Sequence, residues 1–112
     1  MSDYMLVTRG NFGDWKALSS EDSQKIMAKY NAFVEELKKQ DRFKGGSALK
    51  EGSFRFKSVS GSILIDGPYA ETKETITGYL LFEADTQQQA ADIAKQCPAL
   101  THGESVELLE LT

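Results

Sequence analysis

Residues 78–98 read GYLLFEADTQQQAADIAKQCP, and they decide the fold because a strand and a complete helix follow each other there. The short apolar run Gly78–Ala84 is typical of a strand. Thr86 and Gln89 form a capping box, in which side chains satisfy the free backbone N–H groups at a helix start. Pro98 cannot continue the helix and closes it. The apolar face of this helix consists of Ala90, Ala91, Ile93, Ala94 and Cys97.

The N-terminal part of the chain repeats the strand and helix pattern. Tyr4–Thr8 is a short apolar run without helical spacing and is predicted to be a strand. Gly10–Trp15 contains two glycines and is predicted to be a loop. Ser19–Asp22 carries an N-cap signal for a long amphipathic helix that ends near Lys39. Its apolar positions recur at three- and four-residue steps, at Ile26, Met27, Tyr30, Phe33, Val34 and Leu37.

Two further segments complete the predicted sheet. Apolar and polar residues alternate in Ser53–Val59, and Ser62–Ile65 can form a second strand antiparallel to it. Ser60-Gly61 can form the turn between them, so we predict a hairpin. Ser105–Leu111, SVELLEL, supplies the last strand. The order strand, helix, hairpin, strand, helix, strand predicts an α+β fold of the ferredoxin-like type, with two helices on one face of an antiparallel sheet. No repeat or linker interrupts it, so we expect residues 1–112 to form a single domain.

Both faces of the predicted sheet are apolar. In the strand Gly78–Ala84, Tyr79 and Leu81 point one way while Leu80 and Phe82 point the other. Two helices cover only one face, and an open antiparallel sheet normally shows a polar face to water. We therefore predict a homodimer whose sheets face each other. A loop from the hairpin that folds over the sheet is the alternative.

Composition excludes several classes of protein but names no function. The 112 residues carry a formal net charge of −4 and are 40% hydrophobic and 27% charged, which excludes a disordered or fibrous chain. Residues 71–112 hold 2 basic and 8 acidic side chains, and an acidic region of this kind repels nucleic-acid phosphates. The sequence has one cysteine, no apolar run near the ~20 residues of a membrane span and no signal-peptide pattern. We therefore expect a cytoplasmic protein.

The most unusual segment is Asp66–Glu74, DGPYAETKE. It combines a rigid turn, an aromatic ring, a hydroxyl and four charged groups between two strands. A turn of this type fixes the chain direction, so the side chains that follow it can converge on a site. The alternative is a solvated connection whose Glu71 and Lys73 form weak surface ion pairs.

DGPYAETKE resembles the signature of the DGPF branch of the YCII-related domain family, in which Phe usually stands at the position of Tyr69. The resemblance covers essentially the whole chain. It includes Tyr4-Met5-Leu6, Arg9-Gly10, Trp15, Gly78-Tyr79, Cys97-Pro98 and Gly103–Glu107. It implies a ferredoxin-like fold that dimerises as an α+β barrel, and it implies no settled biochemical function.

The chain departs from the family pattern at the positions linked to activity. In the wider family, lyase-like members carry a His on the first helix and an Asp directly before the proline that follows the second helix. Here the first helix carries Tyr30 and no histidine, and Cys97 precedes Pro98. On the last strand the family often has Glu-Val-Arg-Pro, where this chain has Glu107-Leu108-Leu109-Glu110 without an arginine.

His102, the only histidine, is a candidate general base because its unperturbed pKa lies near 6.5. Its catalytic partner would be Asp66 or Glu71, and the alternative is a solvated loop histidine. Cys97 with His102 is a further candidate for a nucleophile and its base, against a cysteine that belongs to the core. We predict no metal or cofactor, because one histidine and irregularly spaced carboxylates do not form a ligand set.

Arg9 is a candidate for bidentate binding of a carboxylate, and the alternative is an ion pair with Asp14 or a helix-end carboxylate. We predict a pocket for a small organic molecule, for example an organic acid, between the helices and the sheet near DGPYAETKE. The predicted ligand-binding residues are Arg9, Trp15, Tyr69, Glu71, Thr72 and Lys73, and the predicted catalytic residues are His102 and Asp66.

Two alternative functions stay open. Relatives in the branch occur fused to, or encoded beside, sigma factors, which implies a protein-interaction module linked to sigma-factor regulation. A lyase or isomerase that uses His102 with Asp66 or Glu71 is the other alternative.

Overall fold

A computed structural model describes residues 1–52, 56–65 and 75–112 of the chain. The segment DGPYAETKE, with its candidates Asp66, Tyr69, Glu71, Thr72 and Lys73, therefore lies outside the described residues. The elements in chain order are β1 (Ser2–Gly10), α1 (Phe12–Lys16), α2 (Ser20–Lys39), β2 (Phe43–Ala48), β3 (Phe56–Val59), β4 (Ser62–Ile65), β5 (Thr75–Ala84), α3 (Gln87–Lys95) and β6 (Ser105–Glu110). A 3-10 turn over Pro98–His102 joins α3 to β6.

Four of the strands form one antiparallel sheet in the order β2-β5-β1-β6. The first and third of these strands along the chain, β1 and β5, lie in the centre, and each of the helices α2 and α3 connects two strands that are not neighbours in the sheet. This arrangement confirms the predicted α+β fold of the ferredoxin-like type.

The core lies between this sheet and the two long helices. Side chains of Tyr4 and Leu6 on β1 and of Phe82 on β5 point to the same face, where Leu37 of α2 and Ile93 of α3 meet them. Phe82 is fully buried and stacks on Tyr4 with 5.8 Å between the ring centroids. Both helices thus cover one face of the sheet, as the apolar spacing predicts.

The caps predicted for the helices are present. The Ser19 hydroxyl accepts the backbone N–H of Asp22 at 3.1 Å, and α2 runs to Lys39 as expected. The Thr86 hydroxyl accepts the N–H of Gln89 at 3.0 Å. The Gln89 side chain returns to the N–H of Asp85 at 2.7 Å, one residue before the position that a standard capping box uses.

The prediction missed the second strand of the main sheet, which is β2. The segment FKGGSA lacks the apolar alternation that marks a strand, and its two glycines indicate a loop. It is extended because it pairs with the edge of β5, where Gly46 lies opposite Leu80. The pairing is a tertiary contact that the local pattern does not reveal.

The predicted hairpin exists but stands apart from the main sheet. Strands β3 and β4 form a separate two-stranded sheet, and Ser60 and Gly61 turn with φ values of 50° and 82°. Its residues in both strands are exposed. The expectation that this hairpin forms part of the main sheet was therefore wrong.

A one-turn helix replaces part of the predicted loop Gly10–Trp15. The Asn11 side chain accepts the N–H of Gly13 at 2.7 Å and so caps α1. An Asn at this position is a strong N-cap signal, and it outweighs the two glycines that indicated a loop. The short helix carries Trp15 toward the interior.

The second face of the sheet is apolar, as the alternation predicts. Leu81, Met5 and Leu109 lie side by side on β5, β1 and β6. Tyr79 and Leu109 remain 39% and 37% exposed. The described part of the hairpin therefore leaves this face open. Within the described ranges, no helix is long and apolar enough to cross a membrane.

Candidate functional site

A cavity of about 340 Å³ lies between α2 and the helix-facing side of the sheet, and we call it the α2 cavity. Its walls are mostly apolar and aromatic. They include Leu6, Phe12, Trp15, Met27, Tyr30, Phe33, Val34, Phe43 and Leu80, with Thr8, Thr77, Cys97 and Glu104 as polar members. Among the described residues of the wall, Glu104 alone carries a charge. A small enclosed volume with a few convergent polar groups is the usual form of a ligand site.

Glu104 reaches the cavity because the chain turns sharply just before it. Gly103 ends the 3-10 turn with φ of 88°, a left-handed conformation that favours glycine. The Glu104 side chain is only 5% exposed and lies against Gly10. A Cβ atom at Gly10 would stand 2.4 Å from Oε2 of Glu104, so this glycine makes the room for the carboxylate.

His102 lies beside Glu104 and is largely buried. Its side chain is 14% exposed, and its ring meets the edge of Trp15 with 4.9 Å between centroids. Nε2 stands 3.8 Å from Oε1 of Glu104, which exceeds hydrogen-bond distance, and this nitrogen is buried with no hydrogen-bond partner among the described residues. His102 is thus an interior side chain and not the solvated loop residue of the alternative interpretation.

Cys97 occupies the position at which the family resemblance places Asp, and Tyr30 lies on the helix on which the resemblance places His. Tyr30 and Cys97 lie near enough to each other for each group to affect the pKa of the other. Burial raises the pKa of both groups above their ordinary values, so the phenol and the thiol are neutral near neutral pH. A neutral thiol is a poor nucleophile. This agrees with the interpretation of Cys97 as a core residue.

The structure separates two of the predicted ligand-binding residues. Trp15 lines the α2 cavity, and its Nε1 donates to Oε2 of Glu104 at 3.4 Å. Arg9 does not line the cavity, and it forms an ion pair with Glu107 on the neighbouring strand β6. Its partner is therefore neither Asp14 nor a helix end.

Glu104 is the site residue that sequence reasoning missed. In the sequence, Glu104 is marked only by its position directly after a glycine and two residues after the only histidine. Such a pattern is too common to identify a site residue. Only the fold shows that this carboxylate is buried beside Trp15. In the part of the chain that the structure describes, no group of three or more His, Cys, Asp and Glu side chains is arranged to hold a metal ion.

A ferredoxin-like sheet with a partly open, mostly apolar cavity under its first long helix defines a small α+β protein with a pocket. The sequence model of the YCII-related domain family matches residues 4–112, and the chain belongs to this family. Comparison with curated proteins yields no match.

Proposed function

We propose that this protein binds a small organic molecule in the α2 cavity. The observation that carries the proposal is the cavity itself, which is partly open and at about 340 Å³ falls at the lower end of ligand pockets. Its apolar and aromatic walls favour the apolar body of a ligand, and the few polar atoms are available to orient it. A cytoplasmic location is part of the proposal and agrees with the free thiol of Cys97.

Part of the wall of the proposed site is close in sequence to the segment DGPYAETKE. Strand β5 begins at Thr75, directly after the segment, and Thr77 and Gly78 form part of the cavity wall. The proposal therefore keeps the predicted contribution of Tyr69, Glu71, Thr72 and Lys73 to the ligand site. A catalytic role of His102 with Asp66 remains a separate prediction.

Filling the cavity is expected to abolish binding. Val34 lines the cavity from α2, and V34W places an indole in the volume that the ligand needs. We expect 2-phenylethanol to shift the NMR amide signals of cavity residues such as Leu80 in the wild-type protein, and to bind V34W at least about tenfold more weakly.

The matched control is E35W, which introduces the same side chain at the next residue. Glu35 is largely exposed on the same helix, so E35W should bind the probe as the wild-type protein does. Equal binding to V34W and E35W, or no shifts in the cavity of the wild-type protein, would contradict the proposed function.

We also propose that two copies pack their sheets face to face. The aligned side chains of Leu81, Met5 and Leu109 form an apolar row across three strands, and such a row is stabilised when a second copy removes it from water. This is the arrangement that the family resemblance implies.

Sedimentation equilibrium tests the dimer. The wild-type protein is expected to have about twice the 12.4 kDa mass of one chain. L109E places a charge within the proposed interface and should yield the monomer mass, because burying an unpaired carboxylate is costly. The control I63E lies on the exposed hairpin and should leave the dimer mass unchanged. A monomeric wild-type protein would disprove the arrangement.

A further inference from the structure

We propose that the ligand of the α2 cavity carries a positively charged nitrogen group, an ammonium or amidinium, which pairs with Glu104. This inference rests on the proposed function and adds the chemical class of the ligand. It starts from the one charged side chain that the described cavity wall contains.

The carboxylate of Glu104 is short of partners. An ionised carboxylate has about four acceptor sites. The described residues offer it the Trp15 N–H at 3.4 Å and, at 3.8 Å, the Nε2 atom of His102. The side chain is 5% exposed, so little water reaches the carboxylate. A buried charge with so few partners is unfavourable until an opposite charge joins it.

The charges around the cavity favour a cation. No lysine or arginine is among the described residues of the wall. A smaller cavity of about 50 Å³ opens on the other side of Trp15, and its wall shares Glu104 and adds Asp14, a second carboxylate. Arg9, the candidate for binding an organic acid, is paired with Glu107 and does not line the cavity.

Aromatic rings near Glu104 support the same ligand class. Trp15 and Tyr30 line the cavity, and Trp15 also contacts the carboxylate. The face of an aromatic ring, and above all that of Trp, attracts a cation. The rest of the wall is apolar and suits a hydrocarbon or aromatic body. The geometry therefore favours a small amine with an apolar body over an acid or a neutral alcohol.

Three probes that share one body and differ in the head group test this inference. They are 2-phenylethylamine, 2-phenylethanol and phenylacetate, titrated by NMR into the wild-type protein and into E104Q at neutral pH. Gln keeps the size of Glu and removes its charge. In the wild-type protein we expect the amine to bind at least about tenfold more tightly than the alcohol, and phenylacetate to bind most weakly.

In E104Q the affinity for the amine should fall to within about twofold of that for the alcohol. The dispersion of the amide signals in the NMR spectrum of E104Q shows that the variant is folded. Equal binding of amine and alcohol to the wild-type protein, or a preference that persists in E104Q, would overturn the inference and leave the proposed function standing. If none of the three probes shifts cavity signals, both are overturned. The comparison of the three head groups in the wild-type protein tests the inference even if E104Q does not fold.

Discussion

Phe82→Ala is expected to lower the free energy of unfolding by about 3–5 kcal/mol, because it removes a large side chain from the centre of the core. Phe82 is 0% exposed, stacks on Tyr4 and lies beneath both long helices. Small domains are stable by only about 5–15 kcal/mol, so this single change removes a large share of the total. Urea denaturation followed by circular dichroism, at one fixed protein concentration, measures the loss.

The control for this prediction is Phe56→Ala, which deletes the same atoms from an exposed position. Phe56 lies on β3 of the hairpin and is 59% exposed. Its replacement should change the free energy of unfolding by no more than about 0.5 kcal/mol. Similar losses for the two variants would show that the hairpin packs in solution, and would contradict the position of the core.

Gly46→Ala is expected to be the second most damaging change. A Cβ atom at Gly46 would lie 2.6 Å from the carbonyl oxygen of Tyr79 and 2.9 Å from Cα of Leu80. Both contacts are with the backbone of β5, so a side-chain rotation cannot relieve them. The strands β2 and β5 must move apart, which we expect to cost about 1–3 kcal/mol, as overpacking does elsewhere. The same denaturation experiment measures the loss.

The neighbouring glycine provides a matched control for backbone strain. Gly45 and Gly46 have nearly the same φ, 151° and 155°, but a Cβ atom at Gly45 would meet nothing within 4 Å. Gly45→Ala therefore measures the free-energy cost of placing alanine at this φ, without a collision between the added Cβ atom and β5. The free energy lost in Gly46→Ala beyond that lost in Gly45→Ala is due to the contact with β5. Equal losses in the two variants would show that β2 does not pair with β5 at this position.

Much of the fold was predictable because its signals are local. The caps at Ser19 and Thr86 use side chains three residues from the backbone groups that they satisfy. The alternation in GYLLFEA likewise assigns Leu80 and Phe82 to one face of the sheet without knowledge of the partner strands. The ferredoxin-like order follows from these elements and from the limited number of ways in which they pack.

The candidate site was predictable only in part. Trp15 was expected to line a pocket, and it does. Arg9 was expected to line the same pocket, but the register of β1 and β6 places its side chain next to Glu107. A residue at the end of a strand points to one face or the other, and a single bulge decides which. Such an irregularity interrupts the pairing of β1 with β5 between Thr8 and Arg9.

The sequence by itself determined the helices α2 and α3, the central strands and the two apolar faces of the sheet, because short-range capping and periodicity specify them. The tertiary structure decided three other features, namely β2 as the edge strand, the isolation of the hairpin and the burial of Glu104. Each depends on atoms that are far apart in the chain, as when Glu104 packs against Gly10 and Trp15. Pairing and burial are properties of the assembled fold, so no local pattern in the sequence contains them.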